Sequence, residues 1–354
     1  MSRPGRSILG RLRRLAVARL RLIEDDSAFS LVIPTYEGTP FLRRCLEYLK
    51  SREYPGQIVL ADDSSGAHRE FVESSAARYP ELRIELHLYE HPTPFLDKLC
   101  RSMDRLRARL VMLCGQDDFV VPEGVDRVAQ ALDADAGLAC AHGRVARFRI
   151  RRKEGSADAA RAAIELLQHP MRAYSDVRAV DRVLAHIRGY SSTLYSVHRR
   201  QRLIESFRRT QAATQNVIFM QYLSSCITAA QGRIACIDAL FLARQAHAAS
   251  WAARLIHDRE HWPLLVASPK LSAYYQEFRG ALLELLRDEP DAGERLGERI
   301  DEAFVDLVKL GLCRIAVDDA EDAAFHARLR TAGTAERREV DAVVRFTLAH
   351  RETY

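Results

Sequence analysis

Apolar positions along this chain follow two rhythms. Short, nearly unbroken apolar runs alternate with longer stretches in which apolar residues recur every three or four positions. The first rhythm is that of buried parallel strands and the second that of amphipathic helices. Leu110-Val-Met-Leu-Cys114 is the clearest strand, and it stops at Gly115. Two adjacent carboxylates, Asp117 and Asp118, follow, before Phe119-Val-Val-Pro122 opens a helix with Val125, Val128, Ala129 and Leu132 inward. Upstream, Phe29-Ser-Leu-Val-Ile33 reads as a first buried strand. Thr39 and Pro40 then start a helix whose inner face is Phe41, Leu42, Cys45, Leu46 and Leu49. Gln57-Ile-Val-Leu-Ala61 is a second strand ending in Asp62-Asp63, followed by a helix with Phe71, Val72, Ala76 and Tyr79 inward. A strand over 82–89 and a helix carrying Phe95, Leu96, Leu99, Met103 and Leu106 complete the alternation. Four such repeats predict a mostly parallel sheet covered by helices on both faces. Both acidic breaks, Asp62-Asp63 and Asp117-Asp118, then fall at strand carboxyl ends on one edge of the sheet. That is where open α/β sheets bind ligands.

Beyond residue 136 the rhythm loosens. Residues 137–150 read as a strand or bent hairpin, and 157–187 as helical or irregular. Residues 189–198 read as a strand into a basic turn, 216–230 as a helix, and 233–238 as a strand. After about Trp251 the chain reads as helical, with one apolar face at Leu271, Tyr274, Tyr275, Phe278, Leu282 and Leu285. A second such face is Ile300, Phe304, Leu307, Val308 and Leu312. The expected organisation is a basic N-terminal segment over 1–27, an α/β domain over 28–247 and a helical C-terminal extension over 248–354.

Charge and composition narrow the classes. A net charge of +5 over 354 residues is too modest to argue for nucleic acid. Seven cysteines, scattered and odd in number, argue for reduced thiols in a cytoplasmic protein rather than a disulfide framework or a zinc site. No apolar run approaches the ~20 residues that span a bilayer. Residues 1–23, however, hold seven arginines and no acid, with Leu9, Leu12, Ala16, Leu20 and Ile23 on one helical face. A peripheral contact with an anionic membrane and docking on the protein's own surface are both compatible with that pattern. No G-x-G-x-x-G follows the first strand, no Walker loop is present, and no G-x-S-x-G elbow occurs. His257 and His261 stand four apart, but Asp258 follows the first where a metalloprotease helix needs Glu, so they read as surface histidines.

Two adjacent carboxylates are costly unless solvated or met by a cation. Magnesium or manganese carrying a diphosphate meets that requirement, and a solvated turn is the alternative. Three segments decide between them: Val32-Ile-Pro-Thr-Tyr36, Val59-Leu-Ala-Asp-Asp-Ser-Ser65 and the stretch from Met112 to Pro122. In order and spacing they resemble the nucleotide-sugar half of a GT-A glycosyltransferase of family 2, closely over about 29–145 and loosely over 185–245. The resemblance implies a GT-A, nucleotide-diphospho-sugar transferase-like α/β fold. It implies transfer of a sugar from a nucleotide-sugar donor to a hydroxyl of a glycan or lipid-linked acceptor, with inversion, in surface polysaccharide or glycan synthesis. Pro34, Tyr36 and Asp63 would hold the nucleotide base, by stacking and by accepting from a ring N–H. Asp117 and Asp118 would hold the ribose and a Mg²⁺ or Mn²⁺ ion bridging the diphosphate, with Lys98 as an added phosphate contact. The segment from Arg244 to His247 resembles the family's tail, whose cations meet the departing diphosphate.

Two positions depart from the family pattern. The first Asp of its Asp-x-Asp motif is Gly115 here, and Gln116 takes the variable position. The position of its carboxylate base holds Asn216, an amide that cannot accept a proton as a general base. Asp238, His198 and Asp176 are the alternative groups for that role. Two rival readings stay open. One is a catalytically silent GT-A-like module that binds a nucleotide or glycan. The other is a nucleotidyltransferase, although its Gly- and Lys/Arg-rich signature is missing at 34–40.

Overall fold

The computed structural model describes residues 22–151, 163–167, 169, 171–247, 270–290, 292–313 and 320–350. The basic segment over 1–21, His257 and His261 lie outside the described residues. The first half alternates as the sequence predicts: β1 (Phe29–Thr35), α1 (Thr39–Ser51), β2 (Gln57–Asp62), α2 (Gly66–Arg78), β3 (Arg83–Leu88), α3 (Phe95–Asp104) and β4 (Leu110–Leu113). Strand β1 pairs in parallel with both β2 and β4, and β2 pairs in parallel with β3. Successive side chains of a strand point to opposite faces, and the two faces feed separate cores. Phe29, Leu31, Ile33, Ile58, Leu60, Leu110 and Met112 pack with Leu42, Cys45, Leu46 and Leu49 of α1. Val32, Val59, Ala61, Val111 and Leu113 pack on the other side with Leu96, Leu99 and Met103 of α3. Burial on both faces is why these strands read as unbroken apolar runs.

The second half comprises β5 (Asp118–Val120), α4 (Pro122–Ala134), β6 (Leu138–Arg151), β7 (Ala163–Leu167), α5 (Ala179–Arg188), β8 (Val197–Arg199), α6 (Arg200–Ala213), α7 (Val217–Gln231) and β9 (Arg233–Gln245). All strands join one sheet in the order β3-β2-β1-β4-β8-β6-β9-β5, with β7 on β6. The result is a mixed sheet, parallel through its first four strands, flanked by helices and followed by C-terminal helices, as the α/β expectation requires. The stretch expected as a strand or bent hairpin over 137–150 is one long strand, β6, irregular in register where it pairs with β9. The strand expected over 189–198 is confined to β8. Before it, Thr193 bonds Ser225 Oγ through both its backbone N–H and its hydroxyl, at 3.3 and 3.1 Å. These side-chain bonds compete with a sheet ladder.

The C-terminal helices α8 (Leu271–Leu286), α9 (Leu296–Cys313), α10 (Ala320–Arg330) and α11 (Ala335–Ala349) divide between two cores. Phe278, Leu282, Ile300 and Phe304 of α8 and α9 bury against Val183, Ile187, Phe219 and Leu223 of α5 and α7. Phe325, Leu329, Val340, Val343 and Val344 of α10 and α11 cover Phe119, Phe148, Leu240 and Ala243 of the sheet. Among the described residues, no helix is long and apolar enough to cross a membrane. Cys45, Cys100, Cys114, Cys140, Cys226 and Cys236 are free thiols.

Candidate nucleotide-sugar site at the strand tips

Strand β1 ends in Thr35, and the chain turns through Tyr36, Glu37 and Gly38 into α1. Asp62, at the end of β2, fastens this turn. Its Oδ1 accepts from Thr35 Oγ1 at 2.6 Å and Ser64 Oγ at 2.7 Å, and its Oδ2 pairs with Arg69 at 3.2 Å. Ser64 Oγ accepts in turn from the Glu37 N–H at 2.9 Å. Asp62 is thus a structural brace, and the next residue faces the edge of the sheet. Asp63 Oδ2 accepts from the Thr93 N–H at 3.1 Å, and Oδ1 is ion-paired with Lys98. Lys98 Nζ also donates to Thr35 O at 2.9 Å, and its side chain is 3% exposed. The sequence expectation for Lys98 is therefore corrected. It is the buried counterion of Asp63 and does not reach out toward a phosphate, because a charge withdrawn from water needs its partner close by. Tyr36 is 46% exposed, and its ring stacks on His91 at 5.8 Å and 7°. His91 Nδ1 donates to Asp63 O at 2.9 Å. Tyr36 and Asp63 thereby meet at one place, with Pro34 half-buried in β1 behind them.

The second acidic tip lies next to the first. β4 runs out at Cys114, whose N–H donates to Val32 O at 2.9 Å, and Asp118 N closes a turn on Gly115 O at 3.1 Å. A Cβ on Gly115 would stand 2.7 Å from Asp117 Oδ1 and 2.9 Å from Asp118 Oδ2. Both carboxylates lean over that residue, and a side chain there would require them to shift. Gln116 reaches across to the β1 turn, with Nε2 donating to Tyr36 O at 3.3 Å. A Cβ on Gly38 would run into its amide at 1.8 Å. The two tips are thus physically joined.

The partners of the two aspartates differ. Asp118 sits opposite Arg244 on antiparallel β5 and β9, and both its oxygens lie near Arg244 Nε, at 3.2 and 3.0 Å. The Arg244 guanidinium also lies over the Tyr195 ring at 4.4 Å. Burial pushes the Asp118 carboxyl up to about 6, with Asp117 adding to the rise and Arg244 opposing it. Asp117 is 24% exposed, and its Oδ2 meets His247 Nε2 at 3.0 Å. Burial raises its pKa, but the hydrogen bond and charge of His247, with Arg244, outweigh that, and the net shift is downward. The His247 ring stacks on Phe41 at 4.7 Å and 23°. Behind Asp117 is Arg44, 2% exposed, donating to Gln245 Oε1 at 2.9 Å and to Asp117 O at 3.4 Å. Burial pushes its pKa down to about 10, which leaves it charged at neutral pH.

Asp118 therefore departs from the metal-ligand expectation, since the half-buried Arg244 guanidinium supplies its counter-charge. Among the described residues, no group of three or more His, Cys, Asp or Glu side chains forms a metal cluster. One carboxylate and one imidazole, Asp117 and His247, do face each other. Such a pair suits a hard divalent ion that takes its remaining ligands from water and a diphosphate.

The expected catalytic groups have partners of their own. Asn216 is the amino-terminal cap of α7, its Oδ1 accepting from the N–H groups of Ile218 and Phe219 at 3.1 Å each. His198 is 1% exposed in β8, with Nε2 on Thr193 O at 2.7 Å, and burial drives its pKa down to about 4. Asp238 is exposed, pairs with Arg328, and stands six residues before Arg244 on β9, on the order of 20 Å away along a strand. Asp176 is exposed before α5, where its carbonyl accepts from Arg182 at 2.9 Å. Sequence reasoning missed Arg44, Gln116, His91 and Tyr195. Arg44 left a trace as a charge on the stripe of α1 that also carries Phe41 and Tyr48, and Gln116 stood at the variable position of the acidic motif without a role.

No protein-family model matches the chain, and no curated protein matches it. Among solved structures it is similar to S. aureus TarS 1-349 in complex with UDP, at 12% identity and a TM-score of 0.47, over 90% of this chain and 80% of that one. It is also similar to TarS 1-349 in complex with UDP-GlcNAc, at 12% identity and a TM-score of 0.41, over 92% and 91% of the two chains. For TarS 1-349 alone the identity is 12% and the TM-score 0.42, over 81% and 82%.

Proposed function

We propose that this protein is a glycosyltransferase of the family 2 type, moving a sugar from a nucleotide-diphosphate donor to an acceptor hydroxyl with inversion. The observation that carries the reading is the union of the two acidic strand tips. Exposed Tyr36 beside Asp63 and the Asp117–His247 pair lie on one sheet edge, bridged by Gln116. Tyr36 offers a ring face to a nucleobase. Each Asp63 oxygen retains a lone pair for a base N–H beyond the bond it already accepts. Asp117 and His247 are the residues that would hold Mg²⁺ or Mn²⁺, and the ion, when bound, supplies positive charge to the departing diphosphate. Arg244 keeps Asp118 compensated beside them, so Asp117 carries the negative charge that remains available. The acceptor we propose is a glycan or lipid-linked hydroxyl in surface polysaccharide or glycan synthesis on the cytoplasmic side, with the arginines of 1–23 meeting anionic lipid.

The test is a thermal-shift screen of UDP, GDP, CDP and TDP, and of their sugars, with and without Mg²⁺ or Mn²⁺, followed by assay of nucleoside diphosphate release. One nucleotide is expected to raise the melting temperature with metal and little in chelator. A shift of equal size in chelator removes the metal from the reading, and no shift with any nucleotide overturns it. A second reading is favoured by Asn216 capping a helix, by His198 being buried on a backbone carbonyl and by Asp238 being paired with Arg328. It is a silent module that binds the nucleotide without turnover, and binding with no diphosphate release for any acceptor selects it.

A further inference from the structure

Among the described residues, Arg44 is the largest fully buried side chain, and nothing in the nucleotide-sugar reading uses it. A guanidinium withdrawn from water costs several kcal/mol unless hydrogen bonds and charges compensate it, and a methionine or leucine fills similar space without that cost. What distinguishes arginine here is where its fork points. Nη1 donates to Gln245 Oε1 at 2.9 Å and Nη2 to Asp117 O at 3.4 Å. The guanidinium carbon lies 5.0 Å from the centre of the Phe119 ring and 5.5 Å from that of Phe41, and Phe41 is the ring stacked on His247. A single side chain of α1 thus engages the backbone of Asp117, the residue between Arg244 and Ala246, and the aromatic support of His247. These belong to three segments distant in sequence, and their shared product is the 3.0 Å approach of Asp117 to His247.

We infer that Arg44 is a positioning residue that holds Asp117 and His247 face to face as a preformed two-donor site for a divalent ion and its diphosphate. It touches neither ligand itself and acts through the Asp117 backbone, Gln245 and Phe41. The inference rests on the proposed nucleotide-sugar reading for its ligand but not for its geometry, so the test has one arm for each.

Full-length wild type, Arg44→Met and Arg44→Lys are compared by hydrogen exchange without ligand, following peptides over 114–121 and 241–247 against the remote strand over 57–62. Arg44→Met is expected to speed exchange at least severalfold in the first two peptides and leave the third unchanged. Arg44→Lys, which keeps the charge but loses the fork, is expected to fall between. In the second arm, Mn²⁺ is titrated by electron paramagnetic resonance in the presence of UDP, GDP, CDP or TDP. Affinity is expected to drop about tenfold in Arg44→Met, the scale of a lost hydrogen bond to a charged group, with partial recovery in Arg44→Lys. Should Arg44→Met fail to fold, Gln245→Leu removes one tether and is expected to loosen 241–247 in the same way. Exchange that stays at the wild-type rate, or rises equally in all three peptides, overturns the inference. So does unchanged Mn²⁺–nucleotide affinity where the wild type binds. A wild type that binds no nucleotide refutes the nucleotide-sugar reading alone, and the exchange arm still decides the role of Arg44.

Discussion

At the scale of single residues, the site is a set of paired charges, and Lys98 shows what the pairing means. From sequence it reads as a phosphate contact, and in the fold it closes a buried ion pair with Asp63. The two roles predict different behaviour. A phosphate-contacting lysine replaced by methionine weakens nucleotide binding in a protein of unchanged stability. A buried counterion replaced by methionine strands a carboxylate out of water, at a cost of about 3–5 kcal/mol. Lys98→Met is therefore expected to lower unfolding stability by that amount in urea, with or without nucleotide. Lys98→Met combined with Asp63→Leu is expected to recover most of the loss. A single variant of wild-type stability and weakened nucleotide binding would restore the contact role. The sequence could place Asp63 and Asp117 at one edge, because strand ends and parallel order are written in apolar runs. It could not distinguish an outward lysine from an inward one, since the helical pattern of α3 admits both at that position. Arg44 escaped for the same reason, as a buried charge breaks the pattern by which burial is inferred.

At the scale of elements, Asn216 is read by its place on α7. The spacing that resembles the family puts it where a carboxylate base is expected, whereas the backbone puts it at the one position where an amide oxygen closes two open N–H groups. Capping by Asn is worth about 1 kcal/mol relative to Ala, and Asp caps equally well. Asn216→Ala is expected to lower stability by about that much, while Asn216→Asp leaves it near the wild type. If turnover exists, both are expected to retain it within a few-fold, measured as nucleoside diphosphate release. A collapse of turnover by ~10²–10⁴-fold in Asn216→Ala would return the residue to the reaction. Elements were the most legible level of this chain. The alternation through β4 follows from local periodicity, and the unpredicted parts are those fixed by distant partners. β8 is short because Thr193 is bound to Ser225, and β6 stays unbroken because β9 lies alongside it. The split of the C-terminal helices between two cores was likewise invisible. Amphipathic spacing reveals that a helix has an inner face but not which surface receives it.

At the scale of the whole molecule, stability is tied to pH through histidines sealed in the interior. His142, His186 and His198 are at most 1% exposed. Burial drives them down to about 4, 3 and 4, against the ordinary value of 6.5. In the unfolded chain they take up protons near 6.5, and in the folded chain only well below it. The unfolded state therefore binds more protons as pH falls, and the stability that is fully present above 6.5 is lost on acidification toward 4. At 1.36 kcal/mol per unit, each group can withdraw at most about 2 kcal/mol by pH 5, and the three together about 6, within the range of a whole domain's stability. The melting temperature is expected to be flat from pH 8 to 7 and to fall steeply between 6.5 and 5. His186 isolates the cause. It meets Tyr174 and Tyr190 edge-on, and neither ring nitrogen has a hydrogen-bond partner. Phenylalanine keeps the ring contacts and removes two polar atoms that the core does not satisfy. His186→Phe is thus expected to melt no lower than the wild type at pH 7 and to lose about a third less of its stability between pH 7 and 5. An acid transition that does not move in this variant would shift the cause to other groups. Asp118 acts in the opposite sense at the site edge. Asp118, raised to about 6, takes its proton more readily when folded, so its contribution to folding grows as pH falls. Asp117, held below the ordinary value by His247, acts in the same sense as the histidines. The difference between His186→Phe and the wild type, not the wild-type curve, therefore isolates the histidine share.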